Sequence, residues 1–303
     1  MLSPRVMLWK IAYCFEKIVN NCPFKKGGRK MEYHYIDNGS DTLYVIFQSL
    51  GCLPVGTFAK IKNEEITYAE LKEHHKSYNW MKLAINNKQF DYLFIEDFYS
   101  HSYGWYMLDH GRFVYETLNN ELEKFLADKS PKYTKIVFFG SSKGGTGSLL
   151  LGMMNKYATH IFSLVPQIEV GRYISKLYGV YSYLFLNNDP LVELQANLVI
   201  PQISQQSEIS KSKKFVIYTG ENDEQFKNII QIYNTLLRRN IDVTLLYNPS
   251  KEAHTPLVTN HSEKLQQTLL NLTSHNGLNK HSIYLSESVR LFDDTPDSEK
   301  IIQ

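Results

Sequence analysis

The most constraining feature of the 303-residue sequence is a Gly-x-Ser-x-Gly pattern that stands between an apolar run and a helix-like stretch. The apolar run Lys135–Phe139 leads directly into Gly140, Ser142 and Gly144, and a leucine-rich segment follows. A serine on such a tight strand-to-helix turn has a strained backbone, and neighbouring glycines leave room for it. The pattern therefore predicts a serine whose hydroxyl is exposed at one edge of a sheet.

Two other uses of a glycine-rich turn fit this segment poorly. A phosphate-binding loop requires a lysine after its glycines, whereas Lys143 precedes Gly144 and Gly145. A dinucleotide fingerprint requires a glycine where Leu150 stands. A turn that only packs a helix against a strand is the structural alternative. We interpret Ser142 as a nucleophile, and we expect the Lys143 side chain to face solvent or a substrate phosphate.

Short β-rich runs alternate with helix-like stretches between Met31 and Leu272, which is typical of a mostly parallel sheet with helices on both faces. The predicted strands are 32–36, 43–47, 92–96, 135–139, 160–164, 214–218 and 243–247. The predicted helices include 114–127, a helix from Ser142, 224–239 and 262–272. Combined with the serine turn, this alternation predicts an α/β class protein of α/β-hydrolase-like fold.

The chain divides into one central domain with flanking segments. Residues 31–273 are expected to form the catalytic domain, with 173–212 as a cap-like insertion above the site. Residues 1–30 combine an apolar stretch with basic residues, which predicts a helical extension that packs on the domain or lies on a membrane surface. Residues 274–303 are polar and end in acidic side chains, so we expect a peripheral tail.

Composition argues against several classes of partner. The net charge is +2, from 33 basic and 31 acidic residues, so no global field attracts nucleic acid. The cysteines form neither a Cys-x-x-Cys pair nor an even framework, which favours a reducing compartment and argues against a thiolate metal site; they are Cys14, Cys22 and Cys52. No apolar run is long enough to span a bilayer. We expect a cytoplasmic protein, free or peripheral at the inner membrane face, that uses no metal.

A serine nucleophile needs a histidine that accepts its proton and a carboxylate that orients the histidine. In α/β-hydrolases the acid and then the histidine follow the serine along the chain. Asp223, after the strand 214–218, is the predicted acid; Glu221 is the alternative, and a helix N-cap is the structural role for Asp223. His254, after the strand 243–247, is the predicted base, and a surface histidine is the alternative.

Two backbone N–H groups are expected to stabilise an oxyanion. The first is the amide of Lys143, at the start of the helix after the serine. The second is expected from the loop after an early strand, where Ser49 and Leu50 are the candidates. Asp97 begins another loop at the same edge, which we interpret either as an acceptor-binding loop or as an aromatic-rich structural loop.

The segment Phe138–Gly152, with Pro166 and Gln167 shortly after it, resembles the capsular polysaccharide O-acetyltransferases of the serogroup A meningococcal type. It also resembles the related XcbB/CpsF group of capsular polysaccharide biosynthesis proteins. The similarity extends over residues 44–272 and includes Tyr218–Asp223, which is similar to a Gly-x-Asp-Asp element. The dipeptide Ala253-His254 is similar to a Gly-His element of that family. The resemblance implies that the family's Ser, Asp and His are Ser142, Asp223 and His254.

The resemblance implies transfer of acetyl from acetyl-CoA to a sugar hydroxyl of a capsule polymer, through an acetyl-serine intermediate. Acetyl-CoA would be a co-substrate, with no bound cofactor, and the partners would be capsular polysaccharide and capsule-assembly machinery at the membrane. This sequence departs from the family pattern in its longer termini and in Ala253, which replaces a glycine. A carbohydrate esterase or other hydrolase with the same three residues, and a non-catalytic capsule-assembly protein, are the alternatives.

Overall fold

The computed structural model describes residues 31–50, 57–63, 65–66, 70, 79–177, 182, 185–206, 208–273, 282–286 and 288–292. In these ranges the strands are β1 Tyr33–Ile36, β2 Thr42–Phe47, β3 Asp91–Ile95, β4 Leu108–Asp109, β5 Arg112–Phe113, β6 Lys135–Ser141, β7 His160–Leu164, β8 Lys214–Gly220, β9 Asp242–Asn248, β10 Ser282–Ser286 and β11 Val289–Phe292. The helices are α1 Thr57–Lys62, α2 Met81–Asn86, α3 Tyr115–Lys129, α4 Lys143–Met154, α5 Val170–Leu177, α6 Pro190–Gln205, α7 Phe226–Arg238, α8 His254–Thr259 and α9 Ser262–Thr273. The predicted extension 1–30 and the three cysteines lie outside these ranges.

The main sheet has the strand order β1-β3-β2-β6-β7-β8-β9-β11-β10 in the described part of the chain. Neighbouring strands from β3 to β11 run parallel, and the two edge strands, β1 and β10, are antiparallel to their neighbours. Because β3, β2 and β6 are parallel neighbours, the loops that follow these three strands lie next to one another at the same edge of the sheet. This topology confirms the predicted α/β-hydrolase-like fold.

Alternate residues of the central strands enter two separate apolar cores. Phe138 of β6 lies in the core that includes Leu150 of α4, whereas Phe139 lies in the core that includes Leu265 of α9. Both phenylalanines are fully buried. Successive strand side chains point to opposite faces, so a strand covered on both sides has to be apolar at every position. The continuous apolar runs in the sequence therefore predicted the central strands within two residues at each end.

Helix positions follow equally local signals. In α3 the buried residues Leu118, Leu122 and Leu126 recur every four positions, which places them on one face of the helix. At the start of α6 the side chain of Asp189 accepts a hydrogen bond from the amide of Leu191 at 2.8 Å, and Pro190 occupies the first turn. Among the helices described, none combines the length and the apolar character required to cross a bilayer.

The segment 173–212, predicted as a cap-like insertion, supplies most of the connection between β7 and β8. Its helix α6 packs against α4 and α7, and residues such as Ala196 and Ile200 are buried in the same core as Leu150. Helix α6 is thus part of the helical layer on one face of the sheet. The prediction of a cap rested on the position of the segment in the chain, and this position does not reveal which surface a helix covers.

Residues 282–292, assigned to a polar tail from the sequence, add β10 and β11 to the sheet. β11 pairs in parallel with β9, and Val289 lies opposite Leu245. Phe292 is buried, with its ring centroid 4.9 Å from that of Tyr218. A four-residue strand interrupted by Arg290 is too short for its pattern to be recognised in the sequence. The remaining residues of the predicted tail lie outside the described part.

Candidate active site

Ser142 occupies the turn between β6 and α4 with φ 54° and ψ −120°, a backbone conformation that L-residues rarely adopt. Its amide donates to the carbonyl of Leu164 at 2.9 Å, and its carbonyl accepts from the amide of Thr146 at 2.9 Å. Such strain costs about 1–3 kcal/mol and persists only where surrounding contacts enforce it. The two main-chain bonds anchor this turn to β7 and to the first turn of α4.

Two glycines make the close approach around Ser142 possible. A Cβ on Gly140 would lie 2.3 Å from the carbonyl oxygen of Gly144. A Cβ on Gly144 would lie 2.3 Å from the carbonyl oxygen of Phe47 in β2. Both distances are far below van der Waals contact, and both obstacles are main-chain atoms that cannot rotate away. The Gly-x-Ser-x-Gly spacing is therefore required by the packing of α4 against β2 and β6.

Ser142, His254 and Asp223 come together at the carboxyl edge of the sheet, although they are far apart in sequence. His254 Nε2 lies 2.8 Å from Ser142 Oγ, and His254 Nδ1 lies 2.7 Å from a carboxylate oxygen of Asp223. Because an ionised carboxylate only accepts hydrogen bonds, Nδ1 carries the proton and Nε2 presents its lone pair to the hydroxyl. In this tautomer the imidazole can take the proton of Ser142.

Asp223, and not Glu221, faces the histidine. The side chain of Asp223 is fully buried, and its second carboxylate oxygen accepts from the amide of Gln225 at 2.7 Å, just before α7 begins. Asp223 thus orders the turn before the helix and contacts His254 at the same time. Glu221 is exposed and accepts a hydrogen bond from the hydroxyl of Tyr247 at 3.3 Å. Its position excludes it from direct contact with the imidazole in this arrangement.

His254 follows β9 and is the first residue of α8, directly after the connecting loop. That loop is held by polar contacts around Glu252, which accepts hydrogen bonds from Asn260 Nδ2 at 2.7 Å and pairs with His261 Nε2 at 2.6 Å. The hydrogen bond from Asn260, together with the contact to His261, lowers the pKa of Glu252. A second tie is the hydrogen bond from Asn222 Nδ2 to the carbonyl of Lys251 at 2.7 Å.

The side chain of Lys143 is buried, which corrects the expectation that it faces solvent or a phosphate. Its Nζ lies 3.0 Å from a carboxylate oxygen of Asp97. Burial lowers the pKa of Lys143 and raises the pKa of Asp97, and each charge opposes the shift of its partner. Asp97 is equally inaccessible, so its carboxylate is not exposed to an acceptor. Its pairing with Lys143 agrees with the structural alternative for the loop after β3.

The backbone amides predicted as oxyanion donors have different surroundings in the structure. Lys143 is the first residue of α4, so its amide lies at the helix N-terminus, where partial positive charge accumulates. The amide of Ser49 donates to Asn79 Oδ1 at 3.1 Å, and the hydroxyl of Ser49 lies 2.7 Å from that of Ser141. The Ser49 amide is therefore directed at Asn79. Leu50 is left as the candidate donor in this loop.

Gln167, which the sequence analysis did not assign to the site, also contacts Ser142. Its Nε2 lies 2.9 Å from Ser142 Oγ and 3.0 Å from His254 Nε2, and the residue is fully buried. The ring of Tyr173 lies beside the site, with its centroid 6.2 Å from that of His254. Gln167 follows β7 at the same sheet edge as Ser142. This position directly after a predicted strand is the feature of the sequence that could have assigned Gln167 to the site. In the described ranges, no group of three or more His, Cys, Asp or Glu is arranged to hold a metal ion.

The fold and the serine turn define a protein of the α/β-hydrolase fold class. No family model and no curated protein matches the sequence. Among solved structures, a variant of the capsule O-acetyltransferase of Neisseria meningitidis serogroup A in complex with CoA is similar, with a TM-score of 0.55 and 15% identity. The match covers 80% of this chain and 93% of that protein.

Two further solved structures share the fold but are much longer chains. The glycosylation-associated Gap123 complex of Streptococcus agalactiae matches with a TM-score of 0.60 and 10% identity, over 84% of this chain and 47% of that one. The acylaminoacyl peptidase of Pyrococcus horikoshii matches with a TM-score of 0.54 and 14% identity, over 82% and 39%. At these identities the likeness shows the fold alone, and the capsule-family resemblance remains a prediction.

Proposed function

We propose that this chain is a serine-dependent O-acetyltransferase that moves acetyl from acetyl-CoA to a sugar hydroxyl of a capsule polymer. The observation that carries the proposal is the line of hydrogen bonds from Ser142 through His254 to Asp223. The fold shared with the meningococcal capsule O-acetyltransferase, and the CoA bound to that protein, support this choice of donor and acceptor. No bound cofactor is needed for this chemistry.

In the first half-reaction, Ser142 Oγ attacks the thioester carbonyl carbon while His254 Nε2 takes the hydroxyl proton. The carbonyl electron pair moves onto oxygen, where the amide of Lys143 and a second N–H, for which Leu50 is the candidate, stabilise the charge. When the C–S bond breaks, the thiolate leaves and accepts the proton from His254. Asp223 remains ionised throughout and stabilises the imidazolium.

In the second half-reaction, a sugar hydroxyl gives its proton to His254 Nε2 as its oxygen attacks the acetyl carbonyl carbon. The bond between Ser142 Oγ and the acetyl group then breaks, and Oγ recovers the proton from His254. Hydrolysis would follow the same steps with water in place of the sugar. Transferase and esterase activities therefore differ only in which oxygen attacks the acetyl-enzyme.

The test is incubation of the purified protein with acetyl-CoA, with and without capsule polymer, followed by measurement of free thiol and of O-acetyl groups on the polymer. We expect polymer-dependent thiol release and an equal gain of O-acetyl groups, both absent in Ser142→Ala. Peptide mass spectrometry should locate the intermediate on Ser142 and not on Ser141, whose hydroxyl lies 2.7 Å from that of Ser49.

Two results would contradict the proposal in different ways. Thiol release at the same rate without polymer, still dependent on Ser142, would identify a hydrolase that uses the same residues. Unchanged polymer acetylation in cells that carry Ser142→Ala would support a non-catalytic role in capsule assembly.

A further inference from the structure

Gln167 forms a triangle of close contacts with the two groups that exchange a proton. Its Nε2 lies 2.9 Å from Ser142 Oγ and 3.0 Å from His254 Nε2, and these two atoms are 2.8 Å apart. One N–H of the carboxamide donates to Ser142 Oγ, and the same nitrogen lies within hydrogen-bond distance of His254 Nε2. The position of this amide between the nucleophile and the base is not explained by the hydrogen bonds that Asp223, His254 and Ser142 make among themselves.

The orientation of the Gln167 amide is determined by a partner that can only donate. The indole Nε1–H of Trp105 lies 3.1 Å from Gln167 Oε1, and an indole nitrogen has no acceptor capacity. A flipped amide would place two donors against each other at this contact. Trp105 is itself held in a left-handed backbone conformation, with φ 50°. The buried indole therefore fixes Nε2, and not Oε1, as the end of the Gln167 amide that faces Ser142 and His254.

The acceptor available to Gln167 changes during the proposed reaction. In the free enzyme Ser142 Oγ accepts from Gln167 while its own proton points to His254 Nε2. Once Oγ carries the acetyl group it is an ester oxygen, which is a weaker hydrogen-bond acceptor than a hydroxyl oxygen. The next oxygen to approach His254 Nε2 belongs to the attacking hydroxyl, and Gln167 Nε2 is only 3.0 Å from that nitrogen.

We propose that Gln167 holds the oxygen of the attacking hydroxyl against His254 during deacylation, an inference that rests on the proposed function. The attacking O–H transfers its proton to His254 Nε2, and one lone pair of its oxygen forms the new C–O bond. A second lone pair of that oxygen accepts the hydrogen bond from Gln167. Gln167 neither gains nor loses a proton, and it fixes the direction from which the oxygen approaches the carbonyl carbon.

The experiment separates the two half-reactions of Gln167→Met, which keeps the length of the side chain and removes its donors. With p-nitrophenyl acetate the leaving phenolate needs no proton, so acylation makes little use of a donor beside His254. Stopped-flow release of p-nitrophenol measures acylation, and loss of acetyl from Ser142 by mass spectrometry measures deacylation by water. We expect acylation within about threefold of the unmodified protein and deacylation slower by roughly ten- to a hundredfold.

Two further variants separate a direct role from a structural one. Trp105→Phe keeps an aromatic ring but removes the indole N–H, so deacylation should slow by a smaller factor while acylation is preserved. Gln225→Met removes the acceptor that holds the amides of Ile168 and Glu169 at 3.1 and 3.2 Å, and thus loosens the same loop. It should leave the ratio of the two rates unchanged. If Gln167→Met does not fold, Trp105→Phe decides between the two roles.

Three results would overturn the inference: equal slowing of both half-reactions in Gln167→Met, no slowing of deacylation, or the same selective slowing in Gln225→Met. The first would mean that Gln167 maintains the arrangement of the site as a whole and has no particular role in deacylation. Absence of acetyl on Ser142 in the unmodified protein would instead contradict the proposed function itself, so the two failures are distinguishable.

Discussion

Lys143 Nζ lies 3.0 Å from a carboxylate oxygen of Asp97, and both side chains are buried beneath the serine turn. Lys143 begins α4 directly after Ser142, whereas Asp97 lies in the loop after β3. The same loop delivers Tyr106, whose hydroxyl accepts from the amide of Gln48 at the end of β2. The ion pair and this hydrogen bond therefore connect the turn that carries Ser142 to the loops after β3 and β2.

Removal of the Lys143 charge should destabilise the protein strongly. Lys143→Met leaves the Asp97 carboxylate buried without its counter-ion, which costs about 3–5 kcal/mol. Because burial raises the pKa of Asp97, the loss should grow as the pH rises above the ordinary carboxyl value of 3.8. Urea unfolding at several pH values measures the loss of unfolding free energy.

The control for this prediction is Lys156→Met, the same change in a lysine that is 65% exposed and 3.5 Å from Glu123. It should cost under about 1 kcal/mol. Lys143→Met combined with Asp97→Asn removes both charges and should recover most of the lost stability. Equal losses for the two single lysine variants would contradict the prediction.

The strained backbone of Ser142 should be detectable as a stability difference between two inactive variants. Ala retains a Cβ at φ 54°, whereas Gly adopts this conformation without strain, so Ser142→Gly should be more stable than Ser142→Ala by about 1 kcal/mol. At Ser148, within α4, the order should reverse by about the same amount because Gly is a poor helix former. Thermal and urea unfolding of the four variants provide the comparison. If Ala is more stable than Gly at position 142 as well as at position 148, the turn is unstrained.

Loss of the Asp223 charge should reduce the rate with little effect on substrate binding. Asp223→Asn keeps the volume of the side chain but no longer favours the tautomer with its proton on Nδ1, and kcat should fall by about 10⁴-fold. Steady-state hydrolysis of p-nitrophenyl acetate measures the change. Glu221→Gln is the matched control, and it should retain kcat within about twofold because Glu221 contacts Tyr247 and not His254. A larger effect at Glu221 would reverse the assignment of the acid.

The contacts of Glu252 predict a pH-dependent contribution to stability. The hydrogen bond from Asn260, followed by the contacts to His261, lowers the pKa of Glu252 below its ordinary value of 4.5. A lowered carboxyl pKa stabilises the folded state above the ordinary value, and the stabilisation is lost as the pH falls through the lowered one. The difference in unfolding temperature between the unmodified protein and Glu252→Gln should therefore shrink from about pH 6 to about pH 3.

Asn260→Ala provides the control for the Glu252 prediction, because it removes the largest cause of the lowered pKa. The pH dependence of the unfolding temperature should be weaker in this variant than in the unmodified protein. A constant difference between Glu252→Gln and the unmodified protein over the whole range would show that the carboxylate makes no net favourable contact.

Some of the site could be predicted from the sequence because its signals are local. The Gly-x-Ser-x-Gly turn depends on contacts between residues a few positions apart, and Gly140 and Gly144 are required by backbone clearances. Asp223 and His254 were selected because each follows a buried strand, and parallel strands bring their carboxyl ends to one edge. The structure then places both within hydrogen-bond distance in the line to Ser142.

Other features depend on which surfaces meet, and no local pattern encodes that. The sequence around Lys143 does not show that its side chain is buried against Asp97. Nor does the sequence around Gln167 show that the indole of Trp105 orients its amide. The two strands after residue 281 were missed for the same reason, since β11 is stabilised by pairing with β9, and the edge strand β10 by pairing with β11, more than by their own composition.

By itself the sequence determined the alternating order of strands and helices, the strained serine turn and the chain order of serine, acid and histidine, because periodicity and steric clearance act over short distances. The tertiary structure alone decided that Lys143 is buried with Asp97, that Ser49 donates to Asn79 and that Gln167 faces Ser142 and His254. Those contacts join residues that are distant in sequence, and their strength depends on burial and orientation, which exist only after the sheet has assembled.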